Sequence, residues 1–364
     1  MQRLMDRIAQ LEVDNQELRT RLDDIRRTME QLHDDVRAGS ANVDEIHRRQ
    51  IAEGAKDDVR FWAQYRHPDE SDIETRQRFF LSLPKADGDM GLLQMALSTM
   101  LKDFVAICTN NAIRNYWVVG GTLLGAVRHH GFIPWDDDLD LGIMRDELER
   151  LIDVVNADEH YKITVVWDRI VHCRQVRFAP CDSRIPGFID LFIFDWCTAV
   201  NQSTFELVQQ SRQKTIERVE SNTIVRQAWD RNVYLDNDSE AGRIIESLFD
   251  ESLARMHSAG VLCSEDKAGG IIRAFDNMDH PSGFRWISRI AQTFPLVRLS
   301  FEGETVNAPA NYRYLLNGAY GNIFALPNDI GLHFEHVDKR TLADIDEKLI
   351  RGYANGFFPA TLER

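Results

Sequence analysis

Apolar residues recur along the first 36 positions at alternating steps of four and three: Leu4, Ile8, Leu11, Asn15, Leu18, Leu22, Ile25, Met29, Leu32 and Val36. A seam of this kind, with leucine or isoleucine at d and a single Asn at a, predicts a parallel coiled-coil dimer over residues 1–36. Two facing Asn side chains satisfy each other only in register. The period lapses over residues 37–86, which read as a polar, glycine-containing linker with partial helix. From residue 87 to 364 the pattern is that of a folded domain. Residues 92–111 form an apolar core helix, and Tyr116–Val119 a short buried strand ended by Gly120 and Gly121. Thr122 then caps a helix that Gly131 closes in a left-handed conformation. Carboxylate and leucine alternate from Asp138 to Leu141, which predicts a strand with Asp138 and Asp140 on one face.

Asp146 opens the next helix, through about Asn156. Residues 162–167, 174–178 and 187–196 follow as strands. Residues 203–257 are helically patterned with a break at 235–239, a helical insertion. Residues 297–327 read as strand, turn at Glu302-Gly303, strand and a short helix from near Asn311. The predicted class is α/β in its α+β form, a small mixed sheet with surrounding helices behind an N-terminal coiled-coil helix.

Charge narrows the partners. A net charge of −15 and a pI near 5.2 argue against nucleic acid or an anionic bilayer as a bulk electrostatic partner. No apolar run reaches the roughly 18 residues that span a membrane, so no transmembrane segment is expected. The five cysteines are an odd number without a CxxC pair, and His172, Cys173, Cys181 and Cys197 fit no strong zinc spacing. The expectation is a reduced, cytoplasmic protein, free or peripheral at the inner face of the membrane.

The chemistry is concentrated between Gly120 and Gly142. Asp136, Asp137, Asp138 and Asp140 are four carboxylates in five residues, and their mutual repulsion calls for a cation. Mg²⁺, with Mn²⁺ as the alternative, takes hard oxygen ligands and suits two carboxylates two apart on a strand. The glycine pair opening a helix offers bare backbone N–H groups and a positive helix terminus to a phosphate. Either piece alone reads as a tight turn or a solvated acidic loop. Joined by one helix, they are the parts of a metal-assisted phosphoryl-transfer site. Asp190, an acid inside the apolar run GFIDLFIFDW, is the third candidate ligand. The alternative for Asp190 is a pair with an arginine such as Arg177. Gly120, Gly121 and Thr122 are the candidates for donor phosphate. Arg128, at the far end of that helix, is either a fourth phosphate contact or an ion-pair partner of Asp136 or Asp137.

Val119-Gly120-Gly121, the following LLGAVRH, then GFIPWDDD and Asp138-Leu139-Asp140, resemble the LicD family within the polymerase β-like nucleotidyltransferases. The distal Glu302-Gly303 turn and Tyr320-Gly321 resemble it too, so the likeness runs from about Leu92 to Pro327. The resemblance implies Asp138, Asp140 and Asp190 as metal ligands and catalytic carboxylates. It also implies transfer of phosphocholine or a polyol phosphate from a CDP-linked donor to a hydroxyl of a glycan acceptor, free or lipid-linked. Three other readings stay open: a nucleotidyltransferase using an NTP, a non-catalytic coiled-coil scaffold, and a glycosyltransferase with a DxD metal motif.

Overall fold

The computed structural model describes residues 48–273, 275–277, 287–325 and 344–358, with scattered positions from 16 to 46. The seam predicted for residues 1–36 lies largely outside the described residues. Its described members Leu22, Met29 and Leu32 are helical and exposed. The chain divides into two compact units, residues 1–75 and 76–364. In the first, residues 48–65 are helical. Helix α1 (Asp72–Ser82) begins in that unit with a capping box. The Ser71 N–H donates to the Glu74 carboxylate at 2.8 Å, and the Glu74 N–H donates to Ser71 Oγ at 3.3 Å.

The second unit runs α2 (Gly88–Asn110), β1 (Tyr116–Val118), α3 (Gly120–Arg128), β2 (Asp140–Met144), α4 (Arg145–Val155), β3 (Tyr161–Asp168), β4 (Cys173–Pro180) and β5 (Ile189–Cys197). There follow α5 (Gln202–Ser221), α6 (Thr223–Trp229), β6 (Tyr234–Asp236), α7 (Glu240–Ser258), β7 (Gly270–Arg273), β8 (Ile287–Ser288), β9 (Val297–Phe301), β10 (Glu304–Ala308), α8 (Tyr312–Tyr320) and α9 (Glu347–Ala354). The main sheet has the order β1-β2-β5-β4-β3-β6. Strands β2 and β5 are parallel and the other pairs antiparallel, so the sheet is mixed. Strand β7 takes the C-terminal half of the β5 edge that β4 leaves, and β8 pairs with β7. Strands β9 and β10 form a separate hairpin. The break in the insertion is itself structured: β6 pairs with β3 at the sheet edge.

Side-chain alternation assigns the two faces of the sheet. Leu141 and Ile143 of β2 join Leu191 and Ile193 of β5 in the main core, together with α2 and the Leu148, Leu151 and Val155 stripe of α4. Helix α2 is the one described helix long and apolar enough to cross a bilayer, yet Leu93, Ala96, Leu97, Met100 and Phe104 on it are fully buried in this core. Its composition is that of a core helix. The insertion helices α5 to α7 close a second core around Trp167, Phe249, Ile272 and Phe275. The opposite sheet face carries Asp140 and Asp190.

Two local expectations are corrected. Thr122 does not cap α3: the cap position is Val119 and the helix begins at Gly120. Strand β2 begins at Asp140 rather than Asp138. Asp138 lies in the extended lead-in, where the Asp190 N–H already donates to the Leu139 carbonyl at 2.9 Å.

Candidate active site

Two sequence elements separated by a helix lock together here. Gly120 adopts a left-handed φ of 54°, and a Cβ built on it would lie 2.5 Å from Asp140 Oδ2. A Cβ on Gly121 would lie 3.0 Å from Asp136 Oδ2. Only glycine tolerates both the dihedral and the approach at position 120. The Asp140 N–H donates to Thr122 Oγ1 at 2.8 Å, and the Val119 N–H donates to the Asp140 carbonyl at 3.2 Å. Thr122 is therefore fully buried as the strut between α3 and β2.

The parallel register sets Asp140 directly opposite Asp190, so both carboxylates project from one face on neighbouring strands. Arg177 on β4 stands opposite Asp190 on its other side, with Nε 3.5 Å from Asp190 Oδ1. Asp190 thus serves an arginine and faces Asp140 at once. Burial and repulsion from Asp138, Asp190 and Asp136 hold the Asp140 carboxyl well above its usual range, with Arg273 opposing. Tyr320 at the end of α8 is 48% exposed, yet partial desolvation of its phenol together with the charges of Asp140 and Asp136 pushes it up to about 12.

The acidic loop is held from two sides. Gln94, buried in α2, donates from Nε2 to the carbonyls of Asp136 at 2.8 Å and Ile133 at 3.2 Å. Glu302 accepts from the Phe132 N–H at 3.1 Å and pairs with Lys85 at 2.5 Å. A Cβ on Gly131 would collide with that Glu302 carboxylate, and one on Gly125 with the Gly131 carbonyl. Gly131 is thus required by close approach, whereas the left-handed residue after α3 is His130, with φ 57°, a further correction. Arg128 packs its guanidinium 4.5 Å from the Phe80 ring centroid and donates to the Ile323 carbonyl at 3.3 Å. It stands at the opposite end of α3 from Gly120.

Among the described residues, no group of three or more His, Cys, Asp or Glu side chains is placed to hold a metal ion. Mg²⁺ needs none, being commonly held by one or two carboxylates plus substrate phosphates while keeping several waters. Asp138, Asp190 and Asp136 all raise the Asp140 carboxyl, a repulsion of the kind that a hard divalent cation relieves. Sequence reasoning missed Gln94 and Arg273. The signal for Gln94 was a lone amide in an apolar helix; Arg273 had none.

The family description LicD/FKTN/FKRP, nucleotidyltransferase domain, matches residues 114–221, a span that contains Gly120, Asp140 and Asp190. The chain is 34% identical over 131 residues to the lipopolysaccharide cholinephosphotransferase LicD of Haemophilus influenzae, covering 33% of this chain and 49% of that protein. It is 43% identical over 79 residues to an uncharacterized protein of Rickettsia prowazekii, covering 22% of this chain and 29% of that one. A 33-residue stretch is 58% identical to the human ribitol 5-phosphate transferase FKRP, 9% of this chain and 7% of that protein. The chain thus matches about half the length of the Haemophilus protein.

Proposed function

Residues 114–221 match the nucleotidyltransferase domain of the LicD family, and from that premise we propose that the chain is a member of the family and transfers a phospho-substituent, phosphocholine or a polyol phosphate, from a CDP-linked donor to a glycan hydroxyl. The glycan would be a cell-surface polysaccharide or lipopolysaccharide. The observation that carries the reading is the interlock of Gly120 and Thr122 with Asp140 and of Gly121 with Asp136, Asp140 being set opposite Asp190. It brings a helix N-terminus and a strand carboxylate pair to one place. The names of the relatives, a cholinephosphotransferase and a ribitol 5-phosphate transferase, support the same reaction type.

In the proposed reaction the acceptor oxygen attacks the phosphorus that bears the headgroup. A new O–P bond forms, the bond to the bridging oxygen breaks, and CMP departs with that oxygen. The acceptor's proton passes to a carboxylate of the acidic group and then to solvent. Asp138, Asp140 and Asp190 would hold Mg²⁺ or Mn²⁺, whose chemistry is to neutralise charge on the diphosphate as it separates. The first N–H groups of α3, at Gly120, Gly121 and Thr122, point donors at a phosphate oxygen.

A screen of CDP-choline, CDP-ribitol, CDP-glycerol and plain NTPs for nucleotide release, with and without Mg²⁺, tests the proposal. Metal-dependent release of CMP from one CDP-linked donor is the expected result. Pyrophosphate release from an NTP would replace it with a nucleotidyltransferase. Release from no donor in the presence of a suitable glycan would refute it.

A further inference from the structure

The site face of the sheet carries cations as well as acids, and strand register fixes where. Residues directly opposite on paired strands share a face, as do alternate residues along one strand. Asp190 and Phe194 of β5 are therefore on the face that carries Asp140. Arg177 of β4 is opposite Asp190, and Arg273 of β7 is opposite Phe194. Both arginines consequently stand on the Asp140 face. They are about 13 Å apart along β5 at roughly 3.3 Å per residue. Between them β4 has left the strand and β7 has not yet joined it, so the β5 edge at Phe192 and Ile193 is notched.

Both arginines have an aromatic neighbour. Arg177 lies 4.1 Å from the Phe188 ring centroid and is committed to Asp190. Arg273 lies half-buried with its guanidinium 5.8 Å from the Phe192 ring centroid. Its charge opposes the upward shift of both Asp140 on β2 and Tyr320 on α8. A diphosphate entering among four carboxylates brings more negative charge than one divalent ion offsets. A planar guanidinium fork is the side chain best matched to phosphate oxygens.

We propose that Arg273 is a substrate-binding residue that holds the donor's diphosphate over the Asp140–Asp190 pair, Arg177 being the positioning residue that orients Asp190. This rests on the CDP-linked donor proposed above. It adds a residue outside the matched span 114–221, on a strand for which the sequence carried no signal.

The test compares the affinity of the full-length protein for CDP and for CMP in Mg²⁺ buffer, with donor kinetics beside it. The wild type should favour CDP, whose second phosphate reaches Arg273. Arg273→Gln should erase that preference and lower donor kcat/KM about 10- to 100-fold, the range for losing a charged hydrogen bond. Arg273→Lys keeps the charge and apolar stem and should retain only part of the preference. It also serves if the Gln variant misfolds. A preference unchanged in either folded variant, with kcat/KM within about threefold of wild type, would overturn the assignment and leave the donor reading standing. A wild type that binds neither nucleotide and releases no CMP would instead overturn the donor reading, and this inference with it.

Discussion

Asp140 is the residue at which electrostatics and chemistry meet, because its carboxyl is pushed up by burial and by three neighbouring acids. Under the proposed reaction the Asp140 carboxylate acts in the transition state, so Asp140→Asn should abolish turnover by orders of magnitude. The metal-free protein should melt no lower than wild type, because the amide relieves repulsion while the backbone bond to Thr122 survives. A variant with most of its activity would refute the catalytic role. Gly120→Ala tests the interlock from the other side. The left-handed dihedral alone costs about 1–2 kcal/mol for a residue with a Cβ, and the Cβ must displace the Asp140 carboxylate. Activity should therefore fall much further than thermal stability, as paired kinetics and melting curves would show.

His129 gives a pH dependence of definite sign. Burial, with Arg128 and His130 nearby, lowers its imidazole from 6.5 to about 3. The unfolded chain then takes the proton first. Stability is complete above about pH 6.5 and falls as the pH drops toward 3, by up to about 1.4 kcal/mol per unit. His129→Phe should lessen that slope, which urea denaturation at about pH 7 and about pH 5 would measure. An identical slope in both proteins would exclude His129 as the cause. The residue scale also shows the limits of reading a sequence. Gly120, Gly121 and the alternating acids announced themselves through glycine and through period. The strut made by Thr122 and the collision that demands Gly131 depend on chain 18 and 171 residues away, at Asp140 and Glu302.

At the scale of elements, β5 has two tasks that its opposite parities foretold. Asp190 faces the candidate site, while Asp195 accepts from Arg145 at 2.6 and 2.8 Å on the other face. Arg145 also pairs with Asp276, and Asp276 with Arg174 at 3.2 Å, which in turn holds Glu246 of α7 at 2.8 Å. This buried chain of charges ties the insertion to the sheet. Removing one member strands the others, so Asp276→Asn should cost about 3–5 kcal/mol while donor KM stays unchanged in the folded fraction. Gln94→Leu should behave otherwise. It leaves the carbonyls of Ile133 and Asp136 without their amide donor and should cost about 1–3 kcal/mol, with a loss of kcat from the loosened acidic loop. Denaturation midpoints and kinetics on both variants separate anchoring from positioning. Elements with a strong period, α2, β3 to β5 and the β9–β10 hairpin, were legible in the sequence. Strand β7 was not, because four residues carry too little pattern to announce a strand, and only the free β5 edge calls for it.

At the scale of the whole molecule, the role proposed for the N-terminal heptads is one that the candidate site does not require. A helix over residues 1–36 would be about 50 Å long at roughly 1.5 Å per residue, and its apolar seam would be consumed by a partner helix. The described seam residues Leu22, Met29 and Leu32 are exposed in the single chain. Pairing would bring two catalytic units to one polymer. The second binding event then becomes intramolecular, which raises effective concentration on a repeating or clustered glycan without any new contact. Deleting residues 1–40 should therefore yield a monomer with unchanged kcat on a short soluble acceptor and a deficit only on long or clustered ones. Asn15→Leu should strengthen association but relax its register, admitting higher oligomers. Light scattering on the full-length chain decides the premise: a monomer at micromolar concentration would refute the coiled coil, and an equal deficit on short and long acceptors would refute the role given to it.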